Sequence, residues 1–307
     1  MLTGPSVVIT SANSATGRLL IPSLNAAGYH TIGLIRNPLS IGTDETVTDW
    51  MNSPIARGAL ANADYIIHLS GDANAKNKAA FIASNVETTK LLAENAAHGK
   101  CRRIIYLSYA GASTHEKNLY LRCKGEAEDL LRNTGRDIVI FRCPVIVDAP
   151  GQASRMDALF VSKKGRAVPT IGHGRQRMRP VYRGDVVAAV TAAISRGNPG
   201  TYELSGPDNF TIDEFIRLVN GGSTSSAGAN SADNHHDRLS DSRFSPPVRI
   251  NHIPAWLATP LSYIHPQLSP TFVDLMLHHT ESQFALETFR EFGIVPTSLR
   301  TLYGYRN

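Results

Sequence analysis

Cysteine is scarce in this chain, with three among 307 residues: Cys101, Cys123 and Cys143. Their wide spacing excludes a disulfide framework and any metal-ligand pattern, and suits a reducing compartment. Long apolar runs are also missing. None approaches the roughly 18 residues of a membrane-spanning helix, and no basic segment precedes the first apolar run, Val7-Val8-Ile9. That run reads as a strand rather than a signal peptide, so a cytoplasmic location is expected. Charge of one sign is not concentrated either. The net charge of +5 is dispersed, and the clusters Lys163-Lys164-Arg166 and Arg175-Arg177-Arg179 carry no interleaved aromatics. This argues against a nucleic-acid groove. His235-His236 has no acidic or thiol partner at ligand spacing, so no metal is expected. Residues 221–247 have few large apolar side chains and predict a mobile loop.

The hydrophobic content, 42%, is ample for a substantial core. The first half alternates strand-like and helix-like segments: strands at 6–10, 31–35, 63–69, 103–107 and 137–142, helices at 17–27, 81–98 and 119–134. Pro22 should kink or strain the first helix, and Gly28 suits its C-terminal end. Ile- and Val-rich strands separated by helices predict an α/β fold, a doubly wound parallel sheet of Rossmann type. After Pro144 the alternation loosens. A helix is expected at 185–194, a strand at 201–204, and a helix at 211–219 opening with a Thr211–Glu214 capping box. A helical region at 253–292 is broken by prolines. Residues 1–145 are expected to form the dinucleotide-binding core, with 180–205 returning to it. Residues 146–179 and 206–307 are left as a smaller substrate-binding region.

The first strand-to-helix turn reads Thr10-Ser11-Ala12-Asn13-Ser14-Ala15-Thr16-Gly17. A dinucleotide turn needs small residues at the bend, at the approach to the pyrophosphate and at the helix–strand contact. Ser11, Ser14 and Gly17 stand at those places, and the helix N-terminus offers amides to a phosphate. Thr10, Ser11, Asn13, Ser14, Ala15, Thr16 and Gly17 are therefore the candidate cofactor contacts. An ordinary turn of small polar residues fits the same pattern. The second strand ends in Arg36-Asn37 with no acid before Asp44. Arg can pair with a 2′-phosphate where an acid would bind the ribose, which favours NADP(H) over NAD(H).

Tyr120 and Lys124 lie four apart on a helix and so share a face. A phenol needs roughly 4 kcal/mol of phenolate stabilisation to titrate near neutrality. A fixed cation can supply that.

The order and spacing of these segments resemble the atypical and extended short-chain dehydrogenase/reductase superfamily. The likeness is to the branch with the complex I nucleotide-binding accessory subunit and related NAD(P)-dependent reductases and epimerases. The likeness extends along Ala63 to Gly71, Asn85-Val86, Ile104 to Ser108 before Tyr120-x-x-x-Lys124, Phe141-Arg142-Cys143-Pro144, Arg179 to Val186, and Tyr202 to Pro207. It implies that Tyr120 is the general acid/base, and that Lys124 holds the nicotinamide ribose and lowers the Tyr pKa. It also implies that Asn85 supports the relay to Lys124. Leu69, Ser70, Gly71 and Pro144 would line the cofactor, and Asp49 would match an acid near the adenine. The family's substrate-orienting hydroxyl falls on Ser108 or, in the stricter alignment, on Tyr109, leaving Ser108, Ser113 or the Tyr109 phenol to serve.

Two functions follow. One is hydride transfer between NADP(H) and a carbonyl or alcohol carbon, with sugar-nucleotide epimerisation as a variant. The other is a protein that holds NADP(H) for structural or redox-sensing purposes without turnover. Expected partners are a small-molecule substrate, with no nucleic acid and no membrane span; a homodimer or larger complex stays open.

Overall fold

The computed structural model describes residues 4–152, 159–162, 165–221, 248–264, 269–277 and 283–304. Apart from Gly221, the loop expected at 221–247, with His235-His236, lies outside them. In chain order the first half runs β1 (Ser6–Thr10), α1 (Ala15–Ala26), β2 (His30–Leu34), β3 (Glu45–Val47), α2 (Pro54–Asn62) and β4 (Tyr65–His68). It continues with α3 (Lys78–Ile82), a π-helical turn (Ala83–Glu87), α4 (Thr88–Ala97), β5 (Arg103–Tyr109), α5 (Leu119–Arg132) and β6 (Asp137–Cys143).

Val7, Val8 and Ile9 are wholly buried, as a strand covered on both faces requires. Val7 and Ile9 pack with Leu20 and Leu24 of α1, whereas Val8 packs with Leu60, Leu92 and Leu131 on the other face. α1 runs unbroken through Pro22, and Gly28 follows its end at φ 83°. The missing Pro N–H leaves only the carbonyl of Arg18, an exposed residue, without its helical partner.

The second half contains β7 (Ile146–Val147), β8 (Val168–Ile171), β9 (Arg177–Met178), β10 (Val181–Tyr182), α6 (Arg183–Ala192), β11 (Gly200–Glu203), β12 (Phe210–Thr211) and α7 (Ile212–Val219). β13 (Ile250–Ile253), α8 (Ala255–Ile264), α9 (Pro270–Leu277), α10 (Leu286–Glu291) and α11 (Leu299–Leu302) complete it. β11 joins the main sheet beside β6, giving seven parallel strands in the order β3-β2-β1-β4-β5-β6-β11. This is the doubly wound, Rossmann-type α/β arrangement. β1 has β2 on one side and β4 on the other, so a crevice opens beyond its C-terminal end at Thr10. A second core, built on Val168, Met178, Phe210, Phe215 and Ile216, lies in the later segments.

α5 is fixed at both ends. Asn118 caps it, accepting from the amides of Tyr120 (3.0 Å) and Leu121 (3.3 Å). The same side chain donates to Thr271 O and Asp274 of α9. Near the other end, Glu128 receives Ser108 Oγ at 2.6 Å, Arg142 in a two-point fork at 3.0 and 2.7 Å, and Arg132 at 2.8 Å. Burial opposes ionisation of Glu128, but the hydrogen bonds from Arg142 and Ser108 outweigh it and hold its carboxyl below the usual glutamate range.

A depressed carboxyl binds fewer protons folded than unfolded. Its stabilisation is therefore complete above the ordinary value of 4.5 and is lost as the pH falls below it. Glu128→Gln is expected to lose about 2–3 kcal/mol at pH 7, at or just below the roughly 3–5 kcal/mol of a fully buried broken pair because both arginines are partly exposed. Urea melts at pH 7 and below pH 4.5 measure this; a variant as stable as wild type at pH 7 would show that the clamp is neutral.

Candidate functional site

The C-terminal ends of β1, β4, β5 and β6 converge on one rim. At the end of β1, Ser11 adopts φ 48°, the left-handed conformation more often held by glycine. Its hydroxyl meets the Ser70 hydroxyl at 3.0 Å, which helps hold the bend. Ser14 caps α1 by accepting from Gly17 N. A Cβ on Gly17 would fall 2.4 Å from Ala12 O, so only glycine lets the helix sit this close to the turn. Among the described residues, the amides of Ala12, Asn13, Ala15 and Thr16 donate to no protein acceptor. The side chains of Asn13 and Ala15 are exposed. Free amides at the N-terminus of a 12-residue helix fit a pyrophosphate.

Thr10 faces inward and is fully buried. Its oxygen accepts from Leu69 N (3.0 Å) and lies 2.8 Å from His68 Nδ1. The Thr89 hydroxyl donates to Asn85 O (2.7 Å), so it receives from His68 Nε2 (2.9 Å). A neutral ring protonated at Nε2 has a bare Nδ1, which accepts from Thr10, so both ring nitrogens are assigned. Burial, with Lys124 nearby, pushes His68 down to about 3 and keeps it neutral. A buried polar line thus joins the dinucleotide turn to the π-helical turn that carries Asn85.

Arg36 and Asn37 leave β2 exposed at the sheet's edge. Asp49 lies against them, its amide donating to Arg36 O at 3.0 Å. Its carboxylate, however, accepts from Asn52 Nδ2 at 3.0 and 3.2 Å. Asp49, expected from the resemblance near the adenine, is exposed beside Arg36 with this local turn partner.

Lys124 is 3% exposed. Its ammonium donates to Leu107 O (2.9 Å), Tyr106 OH (3.1 Å) and Ser70 O (3.5 Å). Burial lowers it to about 8, against partial support from Glu128 and Cys143. A Cβ on Gly71 would lie 2.8 Å from Asn85 Oδ1 and 2.9 Å from Lys124 Nζ, so glycine is what lets the three meet. The Asn85 amide is engaged by Asp72, Phe81 and Ser84. Pro144 is buried just beyond β6, next to Cys143.

Tyr120 stands one helical turn from Lys124, with the ammonium 6.0 Å from its ring centroid. The expected lowering of its pKa is not realised. Burial raises the phenol above its usual value, with Tyr109, Asp72 and Cys143 adding to the rise. Lys124 is 4.6 Å from the Tyr106 ring centroid and bonded to that ring's hydroxyl. Ser108, expected as a substrate-orienting hydroxyl, donates its proton to Glu128. Strand alternation turns the next residue to the other face, and Tyr109 meets Tyr120 edge-on at 5.5 Å.

Sequence reasoning missed Tyr106, Glu128 and Arg183. Arg183 is buried, donates to Thr16 Oγ1 at 2.7 Å in the first turn of α1, and forms an ion pair with Asp148. Glu128 had a legible signal, lying four residues from both Lys124 and Arg132; Arg183 had none, because its partners are remote in sequence. Cys101, Cys123 and Cys143 are free and buried. Among the described residues, no helix is long and apolar enough to cross a membrane.

Residues 11–195 match a family described as NAD(P)H-binding, over more than half of the chain. A 167-residue stretch is 32% identical to the mitochondrial NADH dehydrogenase (ubiquinone) 1 alpha subcomplex subunit 9 of Arabidopsis thaliana, covering 53% of this chain and 41% of that protein. The match thus spans less than half of that relative. The UDP-glucose 4-epimerase of Thermotoga maritima, solved with UDP-glucose, superposes with a TM-score of 0.68 at 15% identity over 98% of both chains. The UDP-glucuronic acid 4-epimerase of Bacillus cereus, solved with NAD, gives 0.65 at 16% identity, also over 98% of both. Identities this low speak to fold alone. The chain belongs to the NAD(P)H-binding family and shares the Rossmann-type fold of these two epimerase structures.

Proposed function

We propose that this protein is an NADP(H)-dependent oxidoreductase acting on a carbonyl or alcohol carbon, with Tyr120 moving the proton. The observation that carries the reading is the placement of Tyr120 and Lys124. They share one face of α5 at the rim of the sheet, with Lys124 over Gly71 and tied to Ser70, whose hydroxyl reaches the dinucleotide turn. A bound dihydronicotinamide would supply the hydride. The chain's own residues do the rest. Ser11 to Gly17 would hold the pyrophosphate, Lys124 would reach the ribose by giving up its longest bond, the 3.5 Å contact to Ser70 O, and Tyr120 gives or takes a proton at its hydroxyl oxygen. Residues 146–179 and 206–307 hold the substrate. Leu275 of α9 already packs in one apolar cluster with Tyr120.

Arg36 favours NADP(H). It is exposed at the end of β2, and among the described residues its guanidinium forms no ion pair. A 2′-phosphate suits a planar guanidinium better than it suits a strand end carrying an acid.

A second reading, that the nucleotide is held without turnover, is favoured by two observations. Burial raises the Tyr120 phenol, and the Ser108 hydroxyl is already taken by Glu128.

With NADPH and a panel of ketones, quinones and UDP-hexoses, Tyr120→Phe is expected to cut turnover by about 10²–10⁴-fold while NADPH still binds. NADPH absorbance and fluorescence titration measure the two parts. Turnover that survives the loss of the phenol would sink the proton-transfer role. NADPH binding with no wild-type turnover on the whole panel would install the second reading.

Arg36→Ala should weaken NADPH by about tenfold or more, the worth of one charge-assisted contact of about 1.5–3 kcal/mol, and leave NADH nearly unchanged. Calorimetric titration decides it, and equal weakening would remove the 2′-phosphate argument.

Lys124 is a cation below about 8 and neutral above it. If that charge assists a forming phenolate, kcat/KM should fall as the pH rises through about 8. A profile flat from pH 7 to about 9.5 would separate Lys124 from the chemistry.

A further inference from the structure

We propose that the Tyr109 hydroxyl is a second hydrogen-bond donor to the reacting oxygen of the substrate, so that two phenols, Tyr109 and Tyr120, bracket that oxygen. This rests on the oxidoreductase reading and names the residue that replaces the usual serine or threonine hydroxyl.

Elimination is the first argument. Ser108 is 5% exposed, and its hydroxyl oxygen lies 2.6 Å from the carboxylate oxygen to which it donates its single proton. That carboxylate is held ionised by the Arg142 fork, so Ser108 has no reason to release it. Ser113 belongs to the segment packed on α5 behind Lys124. A Cβ on Gly125 would strike the Ser113 carbonyl carbon at 2.4 Å, so its backbone is pressed against the helix. Its oxygen receives the amide of His115, which folds the side chain back over its own turn and leaves its proton without a protein acceptor among the described residues.

Geometry is the second. Tyr109 is the last residue of β5, paired in register with Cys143 of β6, and its half-buried ring meets Tyr120 edge-on at 5.5 Å. Among the described residues, neither phenol hydroxyl has a hydrogen-bond partner. The described buried side-chain atoms sealed from water without a partner are Gln176 Oε1, Thr191 Oγ1 and Asn209 Oδ1. The Tyr109 and Tyr120 hydroxyls are not among them. Two unpartnered donors side by side at a sheet rim suit an oxygen that gains charge. Leu119, Leu121, Ala75 and Leu275 surround the pair, which suits an apolar carbonyl compound.

The step balances. The carbonyl carbon gains a C–H bond by hydride from the dihydronicotinamide, which is oxidised to nicotinamidium. The C=O π pair passes to oxygen, which forms an O–H bond with the proton of Tyr120. Water returns a proton to Tyr120, and Tyr109 keeps its own throughout, donating only a hydrogen bond.

The probe is 9,10-phenanthrenequinone, an apolar dicarbonyl, with NADPH. Tyr109→Phe should lower kcat about 10²-fold, the usual cost of one donor to a developing oxyanion, with NADPH affinity within about twofold of wild type. A readout free of turnover accompanies it. The quinone should bind the NADP⁺-loaded variant about tenfold more weakly by fluorescence quenching, one neutral hydrogen bond being worth about 1 kcal/mol or somewhat more. Near-UV circular dichroism and melting temperatures matched to wild type establish that the variant is folded. Wild-type turnover with an unchanged Tyr109→Phe, in both kcat and quinone binding, overturns this proposal alone. Wild type that binds NADPH but neither binds nor reduces the quinone overturns this proposal, and absence of turnover on the whole panel of ketones, quinones and UDP-hexoses overturns the oxidoreductase reading with it.

Discussion

An ammonium buried to 3% exposure has to be solvated by the protein itself, and the site is organised around that requirement at Lys124. Leu107 O, Tyr106 OH and Ser70 O take its protons, and Glu128 one turn along the helix supplies the nearest counter-charge. The consequences spread outward. Position 71 must be glycine because any Cβ would strike the ammonium. His68, stacked on Tyr106 at 5.2 Å, is held neutral first by its own burial and then by the Lys124 charge. Its fixed tautomer then determines which way Thr10 and Thr89 donate, and through Thr89 the carbonyl of Asn85 is satisfied. One buried charge therefore fixes the polar contacts of three strand ends and a π-helical turn.

The same requirement explains why Tyr120 is not acidified. A cation lowers a neighbour's pKa only where its attraction for the phenolate exceeds the cost of burying that charge. Tyr106 lies nearer, at 4.6 Å from the ammonium to the ring centroid against 6.0 Å for Tyr120, and burial still raises it well above its usual value. Tyr120 is left with the effect of burial, reinforced by the Tyr109 phenol beside it. Helical spacing alone ensures only a shared face. Whether a shared face becomes a coupled pair depends on what else the cation touches.

Much of the fold was legible because burial on both faces leaves a plain mark: Val7-Val8-Ile9 and Ile104-Ile105 are uninterrupted apolar runs. β3 and α2 left weaker marks. β3 has three residues, two of them exposed, so no pattern can show. α2 is alanine-rich, but Ser53 capping Ala56 with Pro54 at the first helical position was a readable start signal. The site was legible where one residue acts within a local motif, as at Gly17, Tyr120 and Lys124. It was illegible where parity or remote contact decides. A one-residue shift along β5 exchanges Ser108 for Tyr109 between faces, and only the register with Arg142 and Cys143 fixes which points where. Arg183 reaches Thr16 across 167 positions, and no spacing rule finds that.

That long-range contact bears on how a serine-rich turn can still serve a dinucleotide. Placing Ser11 in the left-handed region costs on the order of 1 kcal/mol, which glycine would avoid. The Ser11–Ser70 hydroxyl contact is available only to the serine and offsets part of that cost while tying the turn to β4. Arg183 adds a cation near the positive end of α1, an arrangement the helix dipole disfavours. Asp148, itself buried, balances that charge through the paired guanidinium. The amides of Ala12, Asn13, Ala15 and Thr16 remain without protein acceptors. A turn held by side chains on both sides, with its backbone donors left over, is suited to an anion even where glycine is absent. The substitution of serine for glycine thus moves the origin of the turn's shape from backbone freedom to side-chain bracing.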